Sequence, residues 1–161
     1  MPHLEQILLA RGAYIAAVGV LETGLTETAI RLSRYDEYHS LRAHFPTRRN
    51  HRQRFLLDAC STTGKLGDWA PLLACFVRRL EAYSPLRDTL AHGAQTAISG
   101  HSASETQVRF KDYFAAAGGA QFRVEPVPLP ILELKALKAC RTARVWSRLY
   151  PRLDERIAPL D

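Results

Sequence analysis

A mainly α-helical bundle, antiparallel in its packing, with a small β-hairpin or short antiparallel sheet inserted before the last helix, is the fold class the sequence predicts. Two observations carry it. Apolar residues recur at three- and four-residue intervals over most of the chain, the period of a helix with one face on a core. Between residues 94 and 127 that period is lost, and short segments of β-favouring residues alternate with Ser/Gly and Gly-Gly turns. With 161 residues, 47% hydrophobic and 24% charged, the composition is that of one globular domain, here residues 1–161, with 94–127 as an appendage within it.

The first helix is predicted from Pro2 to Leu32, with Leu4, Leu8, Ile15, Val18, Leu25, Ala29 and Leu32 toward the core. Gly12, Ala16, Gly19 and Thr23 form a second line of small residues that would let another helix approach closely, expected to serve internal packing more often than dimerisation. Glu22 lies inside this weakly charged stretch, so burial would demand a partner for it.

Residues 33–47 break the pattern and read as a connection or a partly helical excursion, with Pro46 near its end. Arg42, His44, Arg48, Arg49, Asn50, His51, Arg52 and Arg54 follow as the densest basic stretch. Such a run can track phosphates, with Tyr35, Tyr38 or Phe45 stacking on bases, or it can be a solvated helix face. The second helix continues through Phe55–Cys60 until Gly64 and Gly67 stop it. Asp68 is a candidate cap for a third helix, Trp69 to about Tyr83, whose apolar face is Leu72, Leu73, Phe76, Val77 and Leu80.

Ser84-Pro85-Leu86-Arg87-Asp88-Thr89-Leu90-Ala91-His92-Gly93 then reads as a helix of its own. Ser84 is placed to cap it and Pro85 to occupy its first position, where a missing N–H is harmless. Arg87 would fall in the first turn, against the positive end of the helix dipole, at a cost of roughly 0.3–1 kcal/mol. Asp88 lies one turn before His92, the spacing at which a carboxylate can orient an imidazole.

Arg87, four residues and His92, with a polar residue directly after the arginine and an Ala-His-Gly ending, resembles the Arg-x(4–6)-His signature of the HEPN superfamily. The resemblance is tight over ten residues. It implies a small all-helical domain that works as a homodimer, often as a ribonuclease of toxin or defence type, and names Arg87, His92 and Asp88 as the catalytic residues. It also implies that an arginine of the motif helix pairs with Glu22. Toxin–antitoxin pairing would make an antitoxin, or another protein, the second partner.

The chemistry agrees with the resemblance. Metal-independent cleavage of RNA needs fixed positive charge for a phosphorane-like transition state and a group that moves a proton near neutral pH; arginine and histidine supply these. Five helical residues turn about 140°, so Arg87 and His92 of one copy do not share a face, and two copies about a dyad would complete the site.

Past the motif, Ala94–Ile98, Thr106–Phe110 and Gln121–Val124 are the expected strands, and Pro126, Pro128 and Pro130 force an extended lead-in. The last helix is predicted from Ile131 to Tyr150, with Leu132, Ala136, Ala139, Ala143, Trp146 and Tyr150 inward and Arg141, Arg144, Arg148 and Arg152 outward.

The net charge is +6 and only Lys65, Lys111, Lys135 and Lys138 are lysines, so the basicity is mostly guanidinium, suited to phosphates and bases. RNA is the expected partner, with Arg42, Arg48, Arg49 and Arg52 as its binding residues. Cys60, Cys75 and Cys140 are odd in number and far apart, and read as reduced core residues of a cytoplasmic protein. The apolar run Ala13–Leu21 is too short to span a bilayer and lacks the order of a signal peptide, so no membrane role is expected.

No cofactor or metal is expected either. Gly64-Lys65 lacks the phosphate-loop spacing; H-E-x-x-H, G-x-S-x-G and a dinucleotide loop are absent. Ser102 and Ser104 beside His101 have no paired acid. The readings carried forward are a HEPN-like dimeric endoribonuclease, a non-catalytic HEPN-fold module that binds RNA or protein, and a helical scaffold.

Overall fold

In the computed structural model, which describes residues 3–44, 48–116 and 119–158 (backbone alone for 42–44, 97, 112–116 and 120), one long helical stripe sets the fold. Ile7, Tyr14, Val18, Leu21, Leu25, Ala29 and Leu32 are all buried along α1 (Leu4–Leu32). Leu8, expected on that face, is instead half exposed, because the buried line passes one residue earlier, through Ile7. The helix is long and apolar enough by length and composition to cross a membrane, and only 33% of its most apolar window is buried within the fold. The apolar stretch is thus longer than Ala13–Leu21.

After α1 the chain makes a 3₁₀ segment (Asp36–His44), then α2 (Arg49–Cys60), a 3₁₀ turn (Gly67–Trp69) and α3 (Ala70–His92). Three strands follow, β1 (Ala94–Ser99), β2 (Gln107–Ala116) and β3 (Gly119–Pro128), and α4 (Leu129–Ile157) ends the chain. The fold is therefore mainly helical, with a small antiparallel sheet before the last helix, as the sequence predicts. Phe45 and Pro46 lie outside the described residues.

The chain forms two compact units: Met1–Val18 with Tyr83–Arg141, and Gly19–Ala82 with Thr142–Asp161. Each of α1, α3 and α4 gives one segment to each unit. In the first, Tyr14 of α1 meets Tyr83 of α3, and Arg11 meets Leu90, so these two helices run antiparallel. In the second, Phe76 packs edge-on against Trp146 at 5.0 Å and Arg79 reaches Thr142, so α3 and α4 are antiparallel as well. Glu27 meets Tyr150 and Arg31 meets Asp154, which makes α1 and α4 run the same way. Within this unit α1 and α4 are therefore a parallel pair, each turn of contact stepping forward on both helices.

The sheet has the order β1-β2-β3, both pairs antiparallel. Thr106, Val108 and Phe110 are buried while Gln107 and Arg109 are exposed, the two-residue alternation of a half-covered sheet. β2 and β3 pair from Gln107↔Pro128 to Ala116↔Gly119, whereas β1 pairs no further along β2 than Lys111. Pro126 and Pro128 fit because β3 is an edge strand.

Two helices run through internal prolines, one of them Pro85, expected at a helix start. α3 continues through Pro85 and α4 through Pro151, and α4 begins at Leu129 rather than Ile131 and ends past Tyr150. Both internal prolines are exposed, so each leaves its unpaired carbonyl on a solvent-facing side, while buried Leu80, Leu86, Leu90 and Leu153 hold the helices on either side of them. Asp68 falls within the 3₁₀ turn and caps nothing. Cys75 is exposed rather than in the core, whereas burial pushes the Cys60 thiol up to about 11. On α4, Arg141, Arg144, Arg148 and Arg152 are exposed, and Leu132, Ala136, Ala139, Ala143 and Trp146 are buried, as predicted.

Tyr14 gives a testable consequence. Its hydroxyl donates to the Tyr83 carbonyl at 2.9 Å, and burial, helped by the Tyr83 phenol, pushes its pKa from 10.0 to about 12. A raised acid favours the folded state fully below its unfolded value and loses that contribution as pH rises through the folded one. Urea stability is expected to fall between about pH 10 and 12, and Tyr14→Phe to make that fall shallower. Parallel pH profiles for wild type and variant would refute the assignment.

Candidate functional site

The motif sits on the last two turns of α3, where the helix runs into the sheet. Because α3 is continuous from Ala70, Ser84 is not an N-cap, Pro85 is not a first-turn residue, and Arg87 is far from the positive end of the dipole. The expected motif helix and its dipole penalty are thereby corrected. His92 is instead the final residue of the helix, a position where basic side chains are favoured.

Leu86, Thr89 and Leu90 are buried, which turns Arg87 and Asp88 to the half-buried flank and leaves His92 exposed. The Arg87 guanidinium donates through Nη1 to Asp88 Oδ1 at 3.0 Å, with the arginine side chain 23% exposed. Asp88 is thus joined to its neighbour Arg87 rather than to His92. The carboxylate orients the guanidinium, and the imidazole is left facing solvent.

Four further residues fix this helix end. Arg11 donates through Nε to the Leu90 carbonyl at 2.7 Å, filling one of the acceptors that a helix terminus leaves open, and its guanidinium lies 5.5 Å from the centre of the Phe110 ring. The Gly93 amide donates to the Thr89 carbonyl at 2.8 Å. A methyl group on Gly93 would collide with that same carbonyl and touch Phe110, so glycine is needed here for closeness rather than for dihedral freedom. Arg123 of β3 brings Nη2 to 3.5 Å from Thr89 Oγ1 and to 3.8 Å from Glu125 Oε2, placing a second cation beside the motif turn. Arg11 and Arg123 were not legible as site residues, since neither is near the motif in sequence and no spacing rule links a helix end to an edge strand.

The basic stretch belongs to the other unit. Arg48 precedes α2 and is exposed, and Arg52 is half-buried. Arg49 donates through Nε to Glu22 Oε1 at 2.9 Å, with 27% and 22% of the two side chains exposed. Glu22 thus has a basic partner from α2. Arg42 lies in the 3₁₀ segment and its side chain is outside the described set. Tyr38 is fully buried, its hydroxyl accepting from the Leu66 amide at 3.3 Å, so it is not a stacking surface; Tyr35 is half-exposed and can be one.

Gly12 and Gly19 face open space, which corrects the expectation that their line serves internal packing, although Gly24 lies directly against the Trp146 indole. Among the described residues no group of three His, Cys, Asp or Glu is placed to hold a metal ion. No family model matches the chain, and neither curated proteins nor solved structures give a match.

Two substitutions test this geometry. Gly93→Ala is expected to destabilise the fold by about 1–3 kcal/mol, the scale of a forced clash in a packed site, and an unchanged melting temperature would contradict the close approach. For the ion pair, a cycle of Glu22→Gln, Arg49→Gln and the double variant is expected to give a coupling of roughly 0.5–3 kcal/mol. Strict additivity would show that the two groups act independently.

Proposed function

We propose that the chain is a HEPN-like, metal-independent endoribonuclease that acts as a dimer, with Arg87 and His92 as its catalytic residues and Asp88 as the group that positions the arginine. The observation that carries this reading is the exposed His92 imidazole on the last helical turn, five residues beyond a guanidinium already held by Asp88. Arg87 supplies fixed positive charge to a phosphoryl group developing a second negative charge. His92 is open to solvent and to substrate, and exchanges the proton with the ribose or leaving oxygen. Arg123, beside the same turn, adds positive charge to phosphate binding. The half-turn between Arg87 and His92 is the reason for a dimer, because the second copy completes what one helix divides. A defence or toxin role, with a protein antitoxin as partner, belongs to the same reading.

A second reading is a non-catalytic module of the same fold that holds RNA or a protein. The engagement of Asp88 by Arg87 favours it, since the imidazole then lacks the carboxylate expected to fix its tautomer.

Purified protein incubated with mixed RNA in EDTA separates the two. The enzyme reading predicts cleavage by wild type, a loss of about 10²–10⁴-fold in His92→Ala with RNA binding kept, and a partial loss in Arg87→Lys. Light scattering should report a dimer at micromolar concentration. RNA binding without cleavage would establish the module, and cleavage that survives His92→Ala would remove the histidine from the mechanism.

A further inference from the structure

At the C-terminal end of α1 the second unit holds an open cleft of about 420 Å³ lined by Glu27, Ile30, Arg31, Arg34 and Tyr35. We propose that this cleft binds a nucleoside phosphate, with the base against Tyr35 and Ile30 and the phosphate on Arg34 and Arg31. The proposal concerns a different site from the motif turn and does not rest on the ribonuclease reading.

The residues divide the cleft by chemistry. Ile30, 41% exposed, is an aliphatic wall, and Tyr35 supplies an aromatic one. The tyrosine is held in place from two sides. Its hydroxyl hydrogen is shared between the Ile157 and Ala158 carbonyls at the end of α4, each 2.8 Å away, and the Lys65 ammonium stands 5.3 Å from the ring centre. A fixed aromatic ring is the surface on which unpaired bases stack.

Arg31, in the last turn of α1, and Arg34, in the turn just past its end, line the same cleft. Arg31 meets Asp154 through Nε at 2.9 Å. Arg34 is exposed and makes no ion pair among the described residues. Of the acids here, Asp154 is matched by Arg31, while Glu27 keeps its charge as it accepts from the neutral Tyr150 hydroxyl at 2.6 Å, and Arg34, in no ion pair among the described residues, is the cation the cleft offers to a phosphate. Guanidinium pairs of this kind suit the oxygen geometry of phosphate. The Tyr150 bond engages only Oε2 of Glu27, so Oε1 is an acceptor for a ribose hydroxyl or a base amine. The volume is within the range of small-ligand sites, about 300–1,000 Å³. An apolar wall, a cationic rim and one acceptor together describe a nucleotide better than a simple anion, which would use the rim alone.

The test is calorimetric titration of the full chain with AMP and UMP, and with adenosine and inorganic phosphate as partial ligands. AMP is expected to bind at least about tenfold more tightly than adenosine or phosphate, because only it occupies both parts of the cleft. Arg34→Gln should reduce AMP to the level of adenosine. Tyr35→Ala should weaken it by about tenfold or more, and Tyr35→Phe, which keeps the ring, should retain affinity. AMP binding no tighter than phosphate, or unchanged in Arg34→Gln, overturns the proposal; the exposed position of Arg34 keeps that variant informative even if Tyr35→Ala unfolds the chain. Displacement of AMP by a 5′-phosphorylated RNA oligonucleotide would identify the end of a strand as the ligand, and its failure to displace would identify the free nucleotide. His92→Ala should leave AMP binding untouched, so loss of this site and loss of cleavage are read separately.

Discussion

The first unit depends on how the carboxyl end of α3 is closed. Helix termini leave carbonyls without partners, and here those of Thr89 and Leu90 are filled by the Gly93 amide and the Arg11 guanidinium. Both closures constrain what surrounds them. Gly93 must lie against the helix for its amide to reach, which brings β1 out of the last turn at once and sets Phe110 beside it. Arg11 must lie along the Phe110 ring to reach Leu90, tying α1 to both the helix end and the sheet. The exposed histidine and the half-buried arginine owe their positions to this closure, since the burial of Leu86 and Leu90 decides which flank of the turn remains open.

In the second unit polar pairs recur along α1: Glu22 with Arg49, Glu27 with Tyr150, Arg31 with Asp154. Each joins α1 to a different helix or to a different turn of one. Half-buried pairs contribute modestly to stability, but a mismatched register would strand a charge in a low-dielectric place, and that cost discriminates against slipped packings. The arginine-rich composition therefore has two uses here. Arg49 is a structural cation, and Arg48 and Arg34 are exposed ones.

Local periodicity made the helices and the sheet legible, because both report burial directly: Val108 and Phe110 alternate, and Val18, Leu21, Leu25, Ala29 and Leu32 follow the helical interval. Helix ends were less legible. Pro85 after Ser84 has every local mark of a start, yet an exposed proline costs a helix only one solvent-side bond, and the buried leucines on both sides outweigh it. The partner of Glu22 could be anticipated as basic but not identified, since pairing across 27 residues follows from tertiary packing alone. Arg123 and Arg11 escaped for the same reason. The Arg87–Asp88–His92 spacing was visible, while the choice of Asp88 between its two neighbours was set by side-chain direction, which spacing does not encode.

The arm of the β2–β3 hairpin extends past β1, and its outer strand carries exposed Phe122 and Val124 beside Pro126 and Pro128. An edge strand with open amides invites another chain to add to it, and prolines supply none. Near the base of the hairpin the strand is thus blunted against fibril-like growth, and toward its tip that protection is missing. Two prolines that a sequence reader first takes for helix punctuation serve here to keep one molecule's sheet from continuing into the next.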